Sequence, residues 1–150
     1  VLDLAMNNFP IEYYIPFNTQ LKYYFYEPYI GLYYQLGDKK KAVDITTKLF
    51  TKAEEDLNFY KGMKPAEQQQ YFYDIINDFE TAYRIIDNCD MHKDAATVAA
   101  LNKRIEPFEK HFNRYLNAYK QQQESATEMS RNEEQLMQDS TQQTIDSTQQ

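Results

Sequence analysis

Cys89 and His92 form a Cys-x-x-His pair, the spacing with which a zinc site can begin. The remaining ligands are missing, because the one other histidine, His111, stands alone on a later stretch. Cys89 also falls on the apolar side of its own stretch, so the pair reads as a buried thiol beside a loop histidine. Asp74 and Asp78 stand one helical turn apart, as paired carboxylates do in metal and acid/base sites. No histidine or further acid joins them at useful spacing, and they read as a solvated helix face. Glu54-Glu55-Asp56 reads the same way. Lys39-Lys40-Lys41 begins a helix, where its charge opposes the helix dipole. The sequence offers no structural reason for it, and contact with acidic groups or lipid headgroups is the chemistry it could serve. There is no Gly-rich phosphate loop and no Gly-x-Ser-x-Gly elbow. No catalytic, metal-binding or cofactor-binding residue is assigned, and the chain does not read as an enzyme.

The second feature is aromatic. Eight tyrosines fall within residues 13–34, more than one buried stripe absorbs, since a helix buries a third to a half of its circumference. Tyr26, Tyr29 and Tyr33 share a face and are expected in the core, whereas Tyr23, Tyr24 and Tyr34 project elsewhere. Tyrosine on an open surface offers contact area and a hydroxyl at low entropic cost. The alternative, slightly favoured for the patch as a whole, is packing against residues 1–17 or a neighbouring repeat.

Composition bounds the rest. A chain of 150 residues builds one domain with a sizeable core. Fourteen Tyr and nine Phe against three Gly favour helices over a sandwich or barrel. A net charge of -7 argues against nucleic acid, whose phosphates call for a basic face. The single cysteine forbids an internal disulfide. No apolar run approaches the ~20 residues of a membrane span, and no signal peptide is visible. The chain starts without Met inside an apolar-periodic stretch, which reads as the cut end of something longer.

The elements that carry these residues are helical. Residues 1–9 look like the last turns of a helix stopped at Pro10. A helix over 18–36 follows, capped by Asn18 or Thr19, with Pro28 expected to kink or divide it. Gly37 ends it. A second helix, about 38–60, places Ala42, Ile45, Leu49, Ala53, Leu57 and Tyr60 on one face. Gly62 and Pro65 mark a turn, and a third helix, about 65–89, buries Phe72, Ile75, Phe79, Ala82, Ile86 and Cys89. Asp94 caps a fourth, 94–119, on which Val98, Leu101, Ile105, Phe108, Phe112, Tyr115 and Tyr119 alternate at three and four, with a bend expected near Pro107. Residues 121–150 hold six acids, one base and no aromatic residue. A frayed helical extension and then disorder are expected there, giving a domain at 1–120 and a tail at 121–150.

The stretch Tyr29-Ile30-Gly31-Leu32-Tyr33-Tyr34-Gln35-Leu36-Gly37-Asp38-Lys39-Lys40-Lys41-Ala42 resembles the helix–turn–helix of a tetratricopeptide repeat. Aligned on Gly37, Tyr26, Tyr33 and Ala42 fit that pattern, while Ile30, Thr46, Leu49 and Glu54 do not. Ala5 and Pro10 match the end of a preceding repeat, but about ten extra residues break the 34-residue period. The comparison implies that Tyr24, Glu27, Tyr34 and Gln35 line a concave groove kept open by Gly31. The fold expected is therefore all-α, built of tetratricopeptide-like helical hairpins.

The order Ala5-Met6-Asn7-Asn8-Phe9-Pro10, a Tyr-rich helix containing Pro28, Tyr33-Tyr34-Gln35-Leu36-Gly37-Asp38 and Phe112-Asn113-Arg114-Tyr115 resembles an uncharacterised bacterial family. Its members are multi-spanning membrane proteins related to protein O-mannosyltransferases, and the chain is similar to their C-terminal soluble domain. The resemblance implies a domain on the periplasmic side of the inner membrane, with any sugar transfer in the membrane-embedded part. Three roles follow as expectations: a module that binds a peptide or protein partner, an accessory domain that holds a glycan or acceptor, and a structural cap of a helical array.

Overall fold

The structure is a computed structural model and describes the backbone of residues 19–146 and the side chains of 23–129 and 131. The expected helix end at 1–9, with its Ala5 and Pro10, lies outside the described residues. Five helices are described: α1 Thr19–Gln35, α2 Lys39–Lys61, α3 Pro65–Gln70, α4 Phe72–Met91 and α5 Ala95–Asp146. The fold is all-α, made of helical hairpins. The chain divides into two compact units, Val1–Phe112 and Asn113–Gln150.

Within the first unit, α1 packs on α2, α2 on α4 and α1 on α4. Two turns of one design shape it. After α1, the Gly37 N–H donates to the Tyr34 carbonyl (3.1 Å) and the Asp38 N–H to the Tyr33 carbonyl (2.9 Å), with Gly37 at φ +77°. After α4, the Lys93 N–H donates to Asp90 (2.7 Å) and the Asp94 N–H to Cys89 (3.0 Å), with Lys93 at φ 58°. Both are Schellman turns, which satisfy the last helical carbonyls through a left-handed residue. Each is followed by an aspartate cap: Asp38 Oδ1 accepts from the Lys41 N–H and Asp94 Oδ1 from the Thr97 N–H, both at 3.3 Å.

α4 is the most enclosed helix. Phe72, Ile75, Phe79, Ala82, Ile86 and Cys89 are buried as the periodicity predicts, and Ile76, Ile85 and Thr81 join them from its flanks. Phe79 meets Phe112 of α5 edge-on, with ring centroids 6.0 Å apart. Leu101, Ile105, Phe108 and Phe112 are buried on α5 as expected.

Four expectations need correction. The buried stripe of α1 is Tyr23, Ile30 and Tyr33, not Tyr26, Tyr29 and Tyr33. Ile30 takes the inner position, Tyr29 stacks on Phe25 at the flank (6.4 Å, 17°), and the Tyr23 hydroxyl donates to the Arg84 carbonyl at 3.2 Å. Burial pushes the Tyr23 hydroxyl up to about 12. Secondly, the helix expected over 65–89 is two, because the chain turns at Tyr71 (φ -101°, ψ 21°). There Gln68 folds inward and its amide donates to the carbonyls of Tyr60 (3.0 Å) and Met63 (3.2 Å) at the end of α2. Thirdly, Asp78 is no solvated residue: it is 8% exposed. Lastly, α5 runs past the expected end at 119 to Asp146, since Gln, Glu, Ala, Met and Arg are good helix formers and no Pro or Gly follows Pro107. Side chains 120–129 are all exposed, so only local propensity supports that stretch. Pro28 does not divide α1.

Candidate functional site

Of the four groove residues read from the sequence, Tyr34 packs against the turn between α4 and α5. It is half-buried, and its ring stacks on His92 with centroids 4.5 Å apart and planes within 14°. Its hydroxyl donates to Asp94 Oδ2 at 3.0 Å and lies 3.9 Å from Cys89 Sγ. Burial, with the neighbouring thiol and Asp94, raises the Tyr34 hydroxyl above its ordinary range. Burial likewise raises the Cys89 thiol. A Cβ at Gly31 would meet His92 Nε2 at 3.7 Å, an ordinary contact distance. Tyr24 is 49% exposed, with the Arg84 guanidinium 5.2 Å over its ring and bonded to its hydroxyl. Glu27 is half-buried and Gln35 exposed. Tyr24 and Tyr34 therefore engage different partners, Arg84 on α4 and the α4–α5 turn.

The Tyr34 contact belongs to a polar node around Asp94, whose side chain is 1% exposed. Lys39 Nζ reaches Asp94 Oδ1 at 2.7 Å, and the Thr97 hydroxyl donates to Oδ2 at 2.8 Å. Burial alone would raise this carboxyl, but the bonds from Lys39, Thr97 and Tyr34 outweigh it and hold it at about 2. This answers the lysine run. Lys39 serves the buried aspartate of the next hairpin, and Lys41 pairs with Asp38 (3.3 Å) and lies 5.5 Å over the Tyr33 ring. Lys40 has no ion-pair partner among the described residues.

Beside this node the α2 and α5 helices leave a groove of about 570 Å³. Val43 and Thr47 of α2 form one wall, and Ala96, Ala100 and Leu101 of α5 the other. Lys39 and Lys40 stand at one end. Arg104 stands at the other, where it donates to Glu54 Oε1 (2.9 Å) and the Thr51 hydroxyl (2.8 Å). The ten residues from Asp94 to Arg104 set a length of about 15 Å at ~1.5 Å rise per residue. Ala96 and Ala100, one turn apart, keep the wall low enough for a backbone to approach. Sequence reasoning missed this groove. Its signals, small residues at i, i+4 on α5 and a β-branched pair at i, i+4 on α2, also occur on ordinary helix surfaces.

No family model, curated protein or solved structure matches the chain. The site must be read from its own geometry. Cys89 is buried, and His92 is engaged by Tyr34. Its groove offers an apolar floor with cationic ends.

Proposed function

We propose that the domain is a non-catalytic, tetratricopeptide-like binding module that takes an acidic, amphipathic peptide segment of a partner protein in the α2–α5 groove. The observation that carries this reading is the groove itself, apolar along Val43, Ala100 and Leu101 and flanked by Lys39, Lys40 and Arg104. An apolar residue of the peptide would bury against the floor, at about 25 cal/mol per Å² removed from water. A carboxylate beside it would meet Lys40, which has no ion-pair partner of its own among the described residues. The hairpin turns and the packing order of α1, α2 and α4 support the tetratricopeptide comparison.

On the family resemblance, the module would serve a larger bacterial inner-membrane protein from the periplasmic side, positioning a peptide or glycan acceptor for the membrane-embedded part. No helix among the described residues is long and apolar enough to cross a membrane. The test is a nuclear magnetic resonance titration with a short helical peptide carrying Leu between two glutamates, against its glutamine counterpart. The reading predicts shifts confined to Val43, Thr47, Ala96 and Ala100, weaker with glutamine, lost with Ala100→Trp and reduced by Lys40→Glu. Shifts that avoid these residues, or a glutamine peptide that binds as well, would refute it.

A second reading rests on one further observation. Phe25, Leu32 and Leu36 of α1 are 40%, 42% and 71% exposed along one side, which favours a role in which a neighbouring segment covers α1, as in the cap of a helical array.

A further inference from the structure

The groove between α2 and α5 calls for a segment with an apolar centre and acids on either side, and this chain carries one. Residues 133–139 read Glu-Glu-Gln-Leu-Met-Gln-Asp, three acids about Leu136 and Met137 with no base among them. Within residues 121–150 no other pair of adjacent apolar residues occurs. The backbone there is helical, as part of α5.

Length and charge suit the groove. Seven helical residues rise about 10 Å at ~1.5 Å each, within the wall that ends at Arg104. Ala96 and Ala100 present only methyl groups, so a second helix can approach closely enough to set aliphatic side chains against Val43 and Leu101. The cations that line the groove are Lys39, Lys40 and Arg104, opposite in sign to the segment. Of these three, Lys39 holds Asp94 and Arg104 holds Glu54, which leaves Lys40 to meet an incoming carboxylate. The segment also gains from docking. Side chains 120–129 of α5 are all exposed, and a helical extension of that kind is marginal until apolar residues further along find a partner.

We propose that the groove of one copy takes residues 133–139 of a second copy of this chain, with Leu136 and Met137 on the apolar floor and Glu133 or Glu134 at Lys40. This rests on the reading of the groove as a peptide site, whose occupant it names. The segment comes from a second copy because it belongs to the helix whose own first turns, from Ala96 to Leu101, form one wall, and a helix cannot lie along itself. Two copies that exchange tails reciprocally close a dimer, and copies that pass them on head to tail form an open chain.

The experiment mixes 15N-labelled full-length chain with unlabelled full-length chain that carries a nitroxide at Ser140→Cys, from micromolar to millimolar concentration. Cys89 is buried and stays unmodified. The proposal predicts saturable broadening of the Val43, Thr47, Ala96 and Ala100 amides of the labelled copy. Leu136→Asp or Met137→Asp in the nitroxide copy weakens association about tenfold, as the loss of one buried aliphatic side chain does. Neither change touches the labelled copy, whose spectrum reports its own fold. Lys40→Glu in the labelled copy, or added sodium chloride, weakens it by less, as the loss of an exposed ion pair does. Broadening spread evenly over the surface, or unaltered by both Leu136→Asp and Met137→Asp, overturns the proposal. Broadening of the groove only where nitroxide and 15N share one chain overturns the assignment to a second copy. A groove that answers a helical peptide carrying Leu between two glutamates but not the nitroxide copy has another occupant, and this proposal fails while the peptide site stands. A groove that answers neither refutes both.

Discussion

Asp78 should make this protein less stable as pH rises through neutrality, the reverse of the usual carboxylate behaviour. Burial, with like charge from Asp56 and Asp74, pushes its carboxyl from 3.8 to about 7, and Lys52 opposes this only in part. The folded state therefore keeps a proton between about pH 4 and pH 7 that the unfolded state has released. When the folded state binds more protons, stability falls as pH rises. The contribution is complete below the unfolded value and is lost on passing through about 7. At ~1.4 kcal/mol for each tenfold change in proton affinity, the rise amounts to about 4 kcal/mol. Asp94 does not mask it. Its carboxyl is depressed to about 2, so its contribution is complete above about pH 4 and lost only in stronger acid. Asp78→Asn keeps the shape and removes the charge at every pH. Urea unfolding followed by circular dichroism at about pH 5 and pH 8 should show wild type losing several kcal/mol between them and Asp78→Asn losing little. At the higher pH the variant should exceed wild type by about 1–3 kcal/mol, because the amide carries no charge to hold beside Asp56 and Asp74. A wild-type chain that gains stability across this range, or a variant with the same slope, refutes the argument.

Five further substitutions test the turns and the tyrosines. Lys93→Gly should add about 0.5–1 kcal/mol in the same unfolding assay, because the left-handed φ of 58° strains lysine and suits glycine, while Gly37→Ala, at φ +77°, should lose about 1 kcal/mol. Tyr34→Phe should cost about 1–2 kcal/mol by taking a donor from buried Asp94, and Tyr33→Ala about 3–5 kcal/mol. Tyr24→Ala should cost under about 1 kcal/mol, and equal losses at Tyr24 and Tyr34 in thermal melts would contradict the difference in their surroundings.

The helices were legible because their apolar periods are long and regular: α4 and the first part of α5 bury the residues their spacing names. The node at Asp94 was legible only in halves. Asp94 looked like a cap and the lysine run had no structural reason, but their meeting joins residues 55 positions apart, which no local pattern encodes. The likeness of the two hairpins was hidden differently. Superposing Gly37 on Lys93 places Tyr33 on Cys89, Ile30 on Ile86 and Tyr23 on Phe79, all buried. The positions correspond, but apart from the Ile30/Ile86 pair and the Asp38/Asp94 caps the residue types differ, so the repeat lives more in burial and turn geometry than in sequence. Asp78 was misread because its neighbours Tyr60 and Asp56 come from another helix, and helical spacing on α4 alone cannot tell an inward aspartate from an outward one.

The node also sets what the groove can bind. Lys39 stands at the groove mouth with 59% of its side chain exposed, yet its ammonium is committed to Asp94, whose carboxylate has no water to fall back on. Arg104 is committed in the same way to Glu54. An incoming carboxylate that took either cation would strand an acid of the domain, at a cost of several kcal/mol for the buried one. Lys40 alone can change partners without that cost, and an exposed ion pair there contributes only about 0.2–1 kcal/mol. Affinity must then come from the apolar floor, which one or two aliphatic side chains fill at about 1.5–3 kcal/mol each. Such a sum, less the cost of immobilising the peptide, gives weak, fast-exchanging binding. A module of this kind holds a segment usefully when that segment is tethered nearby, where effective concentration replaces contact area.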